Sequence, residues 1–185
     1  MRIRHISEDD WDGITALEAD VYGPLGLSEG RAALRSRAHA SPGTCFVLDH
    51  GRRAAGYLLA LPYPMFAFPD LEREEDVVFH SRNLHLHDLV VAEEFRGRGL
   101  AKNLLRHLTG TAASKGYDGI SLIAVSGSDT FWAANGYRAH PDVAPPPGYG
   151  TDAVYMSRTV PGDRHGTTNL ADEPSLGAPL QDEVG

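Results

Sequence analysis

The chain has 185 residues, 42% of them hydrophobic and 23% charged, with a formal net charge of −8 at pH 7. These values fit one soluble globular domain with a sizeable core. The negative balance argues against non-specific binding to nucleic acid or an anionic membrane, and it suits a cationic small molecule such as an amine. The single cysteine, Cys45, excludes an intramolecular disulfide and a cysteine-rich zinc site, so no metal is expected.

Arg2 to Ile6 alternates polar and apolar and predicts a first strand. Ser7 is an N-cap candidate, with Asp10 at the third helical position, and a helix runs to about Tyr22 with Trp11, Ile14, Leu17 and Val21 at helical spacing. Gly23-Pro24-Leu25-Gly26 breaks it, and a second helix is expected from Ser28 to about Ala40. Strands at Thr44 to Asp49 and Ala54 to Leu61 are joined by His50–Arg53 as a hairpin loop. Cys45 sits in the first of these and reads as a buried, inert thiol. Pro62 to Arg82 is irregular, with an aromatic, proline-rich start and an acidic run from Asp70 to Asp76. A connection of that length is often functional. Then come a strand at Leu84 to Val91, a helix from Leu100 to about Lys115, a strand at Asp118 to Val125, a short helix at Ser128 to Asn135, a strand starting in Gly136 to His140, and a last strand at Ala153 to Arg158. Residues 1–160 are expected to form the domain; from Pro161 to Gly185 the composition turns polar and acidic and reads as a flexible tail. The N-terminus lacks an apolar signal region and no apolar run approaches ~18 residues, so no membrane span is expected and a cytoplasmic location is the default.

Val91-Ala92-Glu93-Glu94-Phe95-Arg96-Gly97-Arg98-Gly99-Leu100-Ala101 carries the strongest chemical signal. A strand, a glycine-containing turn and a helix start follow one another. The glycines permit a tight turn, and the first N–H groups of the helix are unpaired at the positive end of its dipole. A phosphate fits such a place, with Arg96 and Arg98 adding charge.

Arg96-Gly97-Arg98-Gly99-Leu100-Ala101 resembles the Arg/Gln-x-x-Gly-x-Gly/Ala signature of GCN5-related N-acetyltransferases (GNAT), and Phe131-Trp132-Ala133-Ala134-Asn135-Gly136-Tyr137 resembles their Phe-Tyr-x-x-x-Gly-Phe segment. The resemblance spans Arg2 to Arg158 in element order, and its specific motifs lie between His85 and Tyr137. It implies an α+β fold: a mixed central sheet flanked by helices, splayed between strands 4 and 5, with the pantetheine arm of acetyl-CoA or another acyl-CoA in the gap. It further implies pantetheine contacts from the backbone of Leu89 and Val91, and pyrophosphate contacts from Arg96, Gly97, Arg98, Gly99, Leu100 and Ala101. Ser126 stands near a family asparagine that meets the pantetheine, and Lys102 and Arg106 are candidates for the 3′-phosphate.

His85-Leu86-His87 is similar to the histidine pair of arylalkylamine N-acetyltransferases, in which both histidines relay the amine's proton to solvent. The resemblance implies His87 or His85 as the base, through water. An imidazole suits the task because it titrates near neutral pH. Strand alternation puts the two histidines on one face and Asp88, a competing carboxylate, on the other, unless a bulge reverses the order. Trp132 departs from the family's tyrosine and cannot act as a general acid; it is expected against the pantetheine arm. The acceptor site is expected among the loop after the first helix, Pro62–Arg82 and Pro141–Gly150, with Tyr22, Tyr63, Phe66 and Phe68 as candidate walls and the acidic run as an ammonium attractor.

The leading expectation is acyl transfer from acyl-CoA to a small primary amine by direct attack in a ternary complex. Two others stand beside it: a donor carried on the phosphopantetheine of an acyl carrier protein, and a non-catalytic acyl-CoA-binding module. A homodimer is an analogy with the family.

Overall fold

The protein was analysed as a computed structural model, which describes residues 1–51 and 53–162. From residue 163 on, the expected tail lies outside the described residues. Strands β1 (Arg2–His5), β2 (Phe46–His50), β3 (Arg53–Pro62), β4 (Asn83–Val91), β5 (Gly119–Ala124), β6 (Arg138–Ala139) and β7 (Val154–Thr159) form one sheet in the order β1-β2-β3-β4-β5-β7-β6. The β4–β5 pair is parallel and the others are antiparallel. Helices α1 (Trp11–Tyr22) and α2 (Arg31–Ala40) cover one face, α3 (Leu100–Ser114) covers the other, and α4 (Asp129–Ala134) precedes β6.

The two faces follow from strand alternation. Phe46, Leu48, Leu58, Ala60, Leu84 and Leu86 pack with Leu104, Leu105 and Leu108 of α3. Cys45, Tyr57, Leu59 and Val90 pack with Trp11 and Ile14 of α1 and Leu34 of α2. Burial pushes the Cys45 thiol up to about 12, and it donates to the carbonyl of Ala60. A thiol so buried is inert.

Three local departures from the expected elements position the site. First, α2 starts at Arg31, not at Ser28. Ser28 Oγ and the Glu29 backbone N–H instead donate to the buried carboxylate of Glu18 on α1, and Gly30 takes φ 81 before the helix begins. Second, β4 carries a bulge. Leu59 pairs with Asp88 and Ala60 with Leu86, leaving His87 without an opposite residue. The side-chain alternation therefore slips at His87, and Asp88 falls on the face of His85, against α1 and α2. Third, β4 and β5 pair only at Asn83↔Gly119, Leu84↔Ile120 and His85↔Ser121, after which the strands part. The β2–β3 hairpin is also tighter than expected, since His50 and Arg53 pair with each other.

Candidate active site

The gap between the parted strands is a slot of 560 Å³ lined by Leu86, His87, Leu89, Val90 and Val91 of β4, Leu122 and Ile123 of β5, and Ser126, Phe131 and Trp132 beyond them. Through Val91, Arg96, Ala101 and Phe131 it continues into a 400 Å³ cavity at the glycine turn. Through Tyr22, His87, Ile123 and Val125 it continues the other way into a 40 Å³ chamber lined by Glu18, Glu29, Asp88, Leu71 and Tyr149. His87 stands at that inner junction.

The glycine turn has the geometry of an anion cradle. Gly97 and Gly99 take φ 73 and φ 74, the left-handed region. No atom lies within 4 Å of where a Cβ would sit at either, so backbone conformation rather than crowding requires glycine. Among the described residues, the backbone N–H groups of Gly99, Leu100, Ala101 and Lys102 have no acceptor, and α3 has no side-chain cap. Gly97, Gly99, Leu100 and Ala101 line this cavity together with Arg96, whose Nε donates to the Val91 carbonyl. Arg98 lines neither cavity; it donates to the Glu94 carbonyl and lies over the Phe95 ring. Unpaired amides, the helix dipole and an unoccluded backbone suit a pyrophosphate.

In the slot, Leu89 and Val91 face the α3 side and Ser126 takes the left-handed φ 52, uncommon for a residue with a Cβ. The Trp132 indole N–H donates to Ser128 Oγ, so this side chain contributes a wall and no free proton donor. Tyr137 and Tyr155 do not line the slot. Tyr22 lines both the slot and the inner chamber, and burial, with Asp88 nearby, holds its hydroxyl protonated well above the usual tyrosine range.

The two histidines of β4 differ in circumstance. His85 is 1% exposed, touches Ser121 Oγ through Nδ1, and lines neither slot nor chamber. Burial, with His87 and Arg37 adding, pushes its pKa well below 6.5, so it is neutral. His87 meets the Glu29 carboxylate through Nε2. Burial opposes ionisation of Glu29, but His87 and Arg37 together hold its carboxyl below the usual value. An ionised carboxylate only accepts, so Nε2 of His87 carries a proton and donates it to Glu29, and Nδ1 is the ring nitrogen left over. Nδ1 is buried and without a partner among the described residues. Arg37, wholly buried, ties Glu29 to Glu75 and to the carbonyls of Asp70 and Arg73. Asp88 accepts from the Tyr57 hydroxyl at 2.8 Å, and burial raises its pKa.

The three expected acceptor loops meet at the inner chamber, contributing Leu27 and Glu29, Leu71, and Tyr149. Tyr149 donates to the Pro69 carbonyl at 2.6 Å, joining two of them. Phe66 lies elsewhere, packed against Tyr155; Phe68 does not line the chamber but packs behind it, against Tyr149 and Tyr155, and Tyr63 is engaged with Glu75. Glu29, Arg37 and Glu18 were not anticipated. The Ser28-Glu29-Gly30 run, with a glycine ahead of the helix, is the signal that marks the late helix start.

The model of the acetyltransferase (GNAT) family matches residues 11–137. No curated protein matches in sequence. Among solved structures, a GphF GNAT-like decarboxylase in complex with isobutyryl-CoA superposes with a TM-score of 0.71 at 20% identity, covering 87% of this chain and 100% of that one. Ard1 from Thermoplasma volcanium gives 0.66 at 18% identity, covering 86% and 97%. An aminoglycoside 6'-N-acetyltransferase complexed with coenzyme A gives 0.64 at 15% identity, covering 86% and 97%.

Proposed function

Since this chain belongs to the acetyltransferase (GNAT) family, we propose that it transfers an acyl group from acyl-CoA to a small-molecule primary amine by direct attack in a ternary complex. The observation that carries the reading is His87, which lines both slot and inner chamber and is held through Nε2 by the Glu29–Arg37 pair, leaving Nδ1 without a partner among the described residues. Bound acyl-CoA supplies the thioester. The glycine cradle would hold its pyrophosphate, and the slot, lined by Leu89, Val91, Ser126 and Trp132, would hold the pantetheine arm. Solved structures of this fold with isobutyryl-CoA and coenzyme A support that donor class.

Nδ1 of His87 takes a proton from the acceptor ammonium, directly or through water. The freed amine nitrogen then forms the N–C bond as the C–S bond breaks, and the sulfur keeps the electron pair. The nitrogen's second proton, shed as the amide forms, goes to the departing thiolate directly or through water, and Tyr22, held protonated well above its usual range, lines the path as a wall. His85, buried and neutral, backs the site without facing it, and Asp88 serves by its negative field and its bond to Tyr57. The ring of Glu18, Glu29 and Asp88 around a 40 Å³ chamber favours an unbranched cationic head group. The unpaired amides of the cradle favour CoA over a carrier-bound donor, because a carrier's phosphopantetheine has a single phosphate.

Thiol release from acetyl-CoA, measured against primary, secondary and tertiary amines and compared with an acetylated carrier protein, tests the reading. Turnover that requires a primary amine and prefers acetyl-CoA is expected. Release from the carrier alone, or binding of CoA with no amine-dependent release, overturns it.

A further inference from the structure

The inner chamber is walled by more negative charge than the acyl transfer uses. Glu18, Glu29 and Asp88 line it, and Glu75 stands behind Glu29 on the same guanidinium. Arg37 is shared between Glu29 and Glu75, and His87 takes the other oxygen of Glu29. Among the described residues, Glu18 and Asp88 meet no cation. Glu18, 1% exposed, accepts from Ser28 Oγ and the Glu29 N–H, and Asp88, 6% exposed, accepts from the Tyr57 hydroxyl. Even with both His87 nitrogens protonated, the carboxylates around the chamber outnumber the cations.

One oxygen of Asp88 is open to a ligand. Its Oδ2 accepts from Tyr57 at 2.8 Å; its Oδ1 has no donor among the described residues, is not one of the fully enclosed polar atoms, and belongs to a side chain that lines the chamber. Burial raises the Asp88 pKa, and an ammonium beside it favours the ionised form again. The chamber measures 40 Å³, room for an ammonium and the methylene that carries it. Its apolar walls, Leu27, Leu71, Ile123 and Val125, suit further methylenes, and the last two continue into the slot.

The same field decides which nitrogen reacts. A carboxylate within about 4–6 Å favours the charged form of an amine, and an ammonium has no lone pair with which to attack. A nitrogen seated in the chamber is therefore held out of reaction. The nitrogen that attacks lies on the slot side of His87, where the charge of Glu29 is taken up by Arg37 and by His87 itself. Recognition and reaction fall on two different nitrogens.

We propose that the acceptor is a linear diamine, with one terminal ammonium held in the chamber by Glu18 and Asp88 and the other end acylated beside His87. This rests on the acyl-transfer reading and names its substrate class. The attacking end gives one proton to the His87 base and a second to the departing thiolate. Its nitrogen forms the N–C bond as the C–S bond breaks, and the distal ammonium is unchanged. The products are a mono-N-acyl diamine and the free thiol of CoA. A second round would put the amide end in the chamber, where it brings no charge, so transfer stops after one acyl group.

The test is thiol release by the full-length protein from acetyl-CoA, comparing putrescine, cadaverine and hexamethylenediamine each with the alkylamine of the same length. The best diamine should exceed its monoamine about 10–100-fold in kcat/KM, and mass spectrometry should find the monoacyl product alone. Glu18→Gln should cut that preference about tenfold. Asp88→Asn, which keeps the Tyr57 bond, should cut it in the same direction and serves if Glu18→Gln fails to fold. The proposal is overturned if monoamines match diamines, if both ends are acylated at similar rates, or if the folded variants keep the wild-type preference. Calorimetry on the CoA-bound protein separates this proposal from the reading it rests on. Putrescine bound at least about tenfold more tightly than butylamine, with no thiol released from any amine, defeats acyl transfer and upholds the diamine site. Equal binding with turnover of both defeats the diamine and leaves acyl transfer standing.

Discussion

Glu29 holds the account together, and its replacement separates packing from chemistry. Its carboxylate bridges Arg37, which is wholly buried, and Nε2 of His87, whose side chain is 3% exposed. Glu29→Ala leaves Arg37 with Glu75 and two carbonyls and leaves the His87 N–H facing a void. Breaking a buried pair costs about 3–5 kcal/mol. At roughly 2–4 °C per kcal/mol for a chain of this size, Tm should fall by about 10 °C. Glu29→Gln keeps the volume and an acceptor oxygen but removes the charge, so its stability cost should be about 1–3 kcal/mol. Its effect on turnover should be larger in proportion. Nothing then fixes the tautomer that leaves Nδ1 free, and kcat should fall about 10²-fold while KM for acetyl-CoA barely moves. Glu75→Gln is the control: it disturbs the same arginine without touching His87 and should cost stability with a much smaller loss of kcat. Thermal melting together with steady-state thiol release reads all three. If Glu29→Gln keeps wild-type kcat, or if Glu75→Gln loses as much, the positioning argument is wrong.

Gly99→Ala should cost about 1 kcal/mol in backbone strain at φ 74 and should weaken CoA more than a pantetheine fragment, as read by calorimetric titration of both ligands. Asp88→Asn should keep the Tyr57 bond and relieve a buried charge. Because burial raises the folded pKa of Asp88, the cost is present above the unfolded value and vanishes in acid, so the variant's Tm should equal or exceed wild type at pH 8 and the gain should shrink towards pH 4. Asp10 behaves oppositely. Its bonds to Arg4 outweigh burial and lower it from 3.8 to about 2, so its contribution is full above about 4 and lost as pH falls through about 2. With Arg4 29% exposed, solvent screening leaves about 1–2 kcal/mol, and Asp10→Asn should lower the denaturation midpoint at pH 7 but not at pH 2.

The glycine turn and the strand–helix order were legible because their causes are local. Positive φ selects glycine at 97 and 99, and Leu104, Leu105, Leu108 and Ala112 mark the buried stripe of α3. The composition of the inner chamber was not. Glu29 reads as the first turn of a helix, and only the tertiary bonds of Ser28 and Glu29 to Glu18 pull that segment out of the helix. Arg37 sits in a helix rich in charge, and nothing in its neighbours distinguishes it from the exposed Arg31. The bulge at His87 arises from pairing with β3, which no pattern within β4 records; it alone decides that Asp88 shares a face with His85.

The most direct test of the central claim is single-turnover thiol release from bound acetyl-CoA at saturating primary amine, comparing wild type with His87→Gln after CoA binding has been matched by calorimetry. A positioned base contributes about 10²–10⁴-fold, so the variant should bind CoA normally and release thiol at least about 10²-fold more slowly. Equal rates in the two proteins would contradict the account and remove His87 from the chemistry.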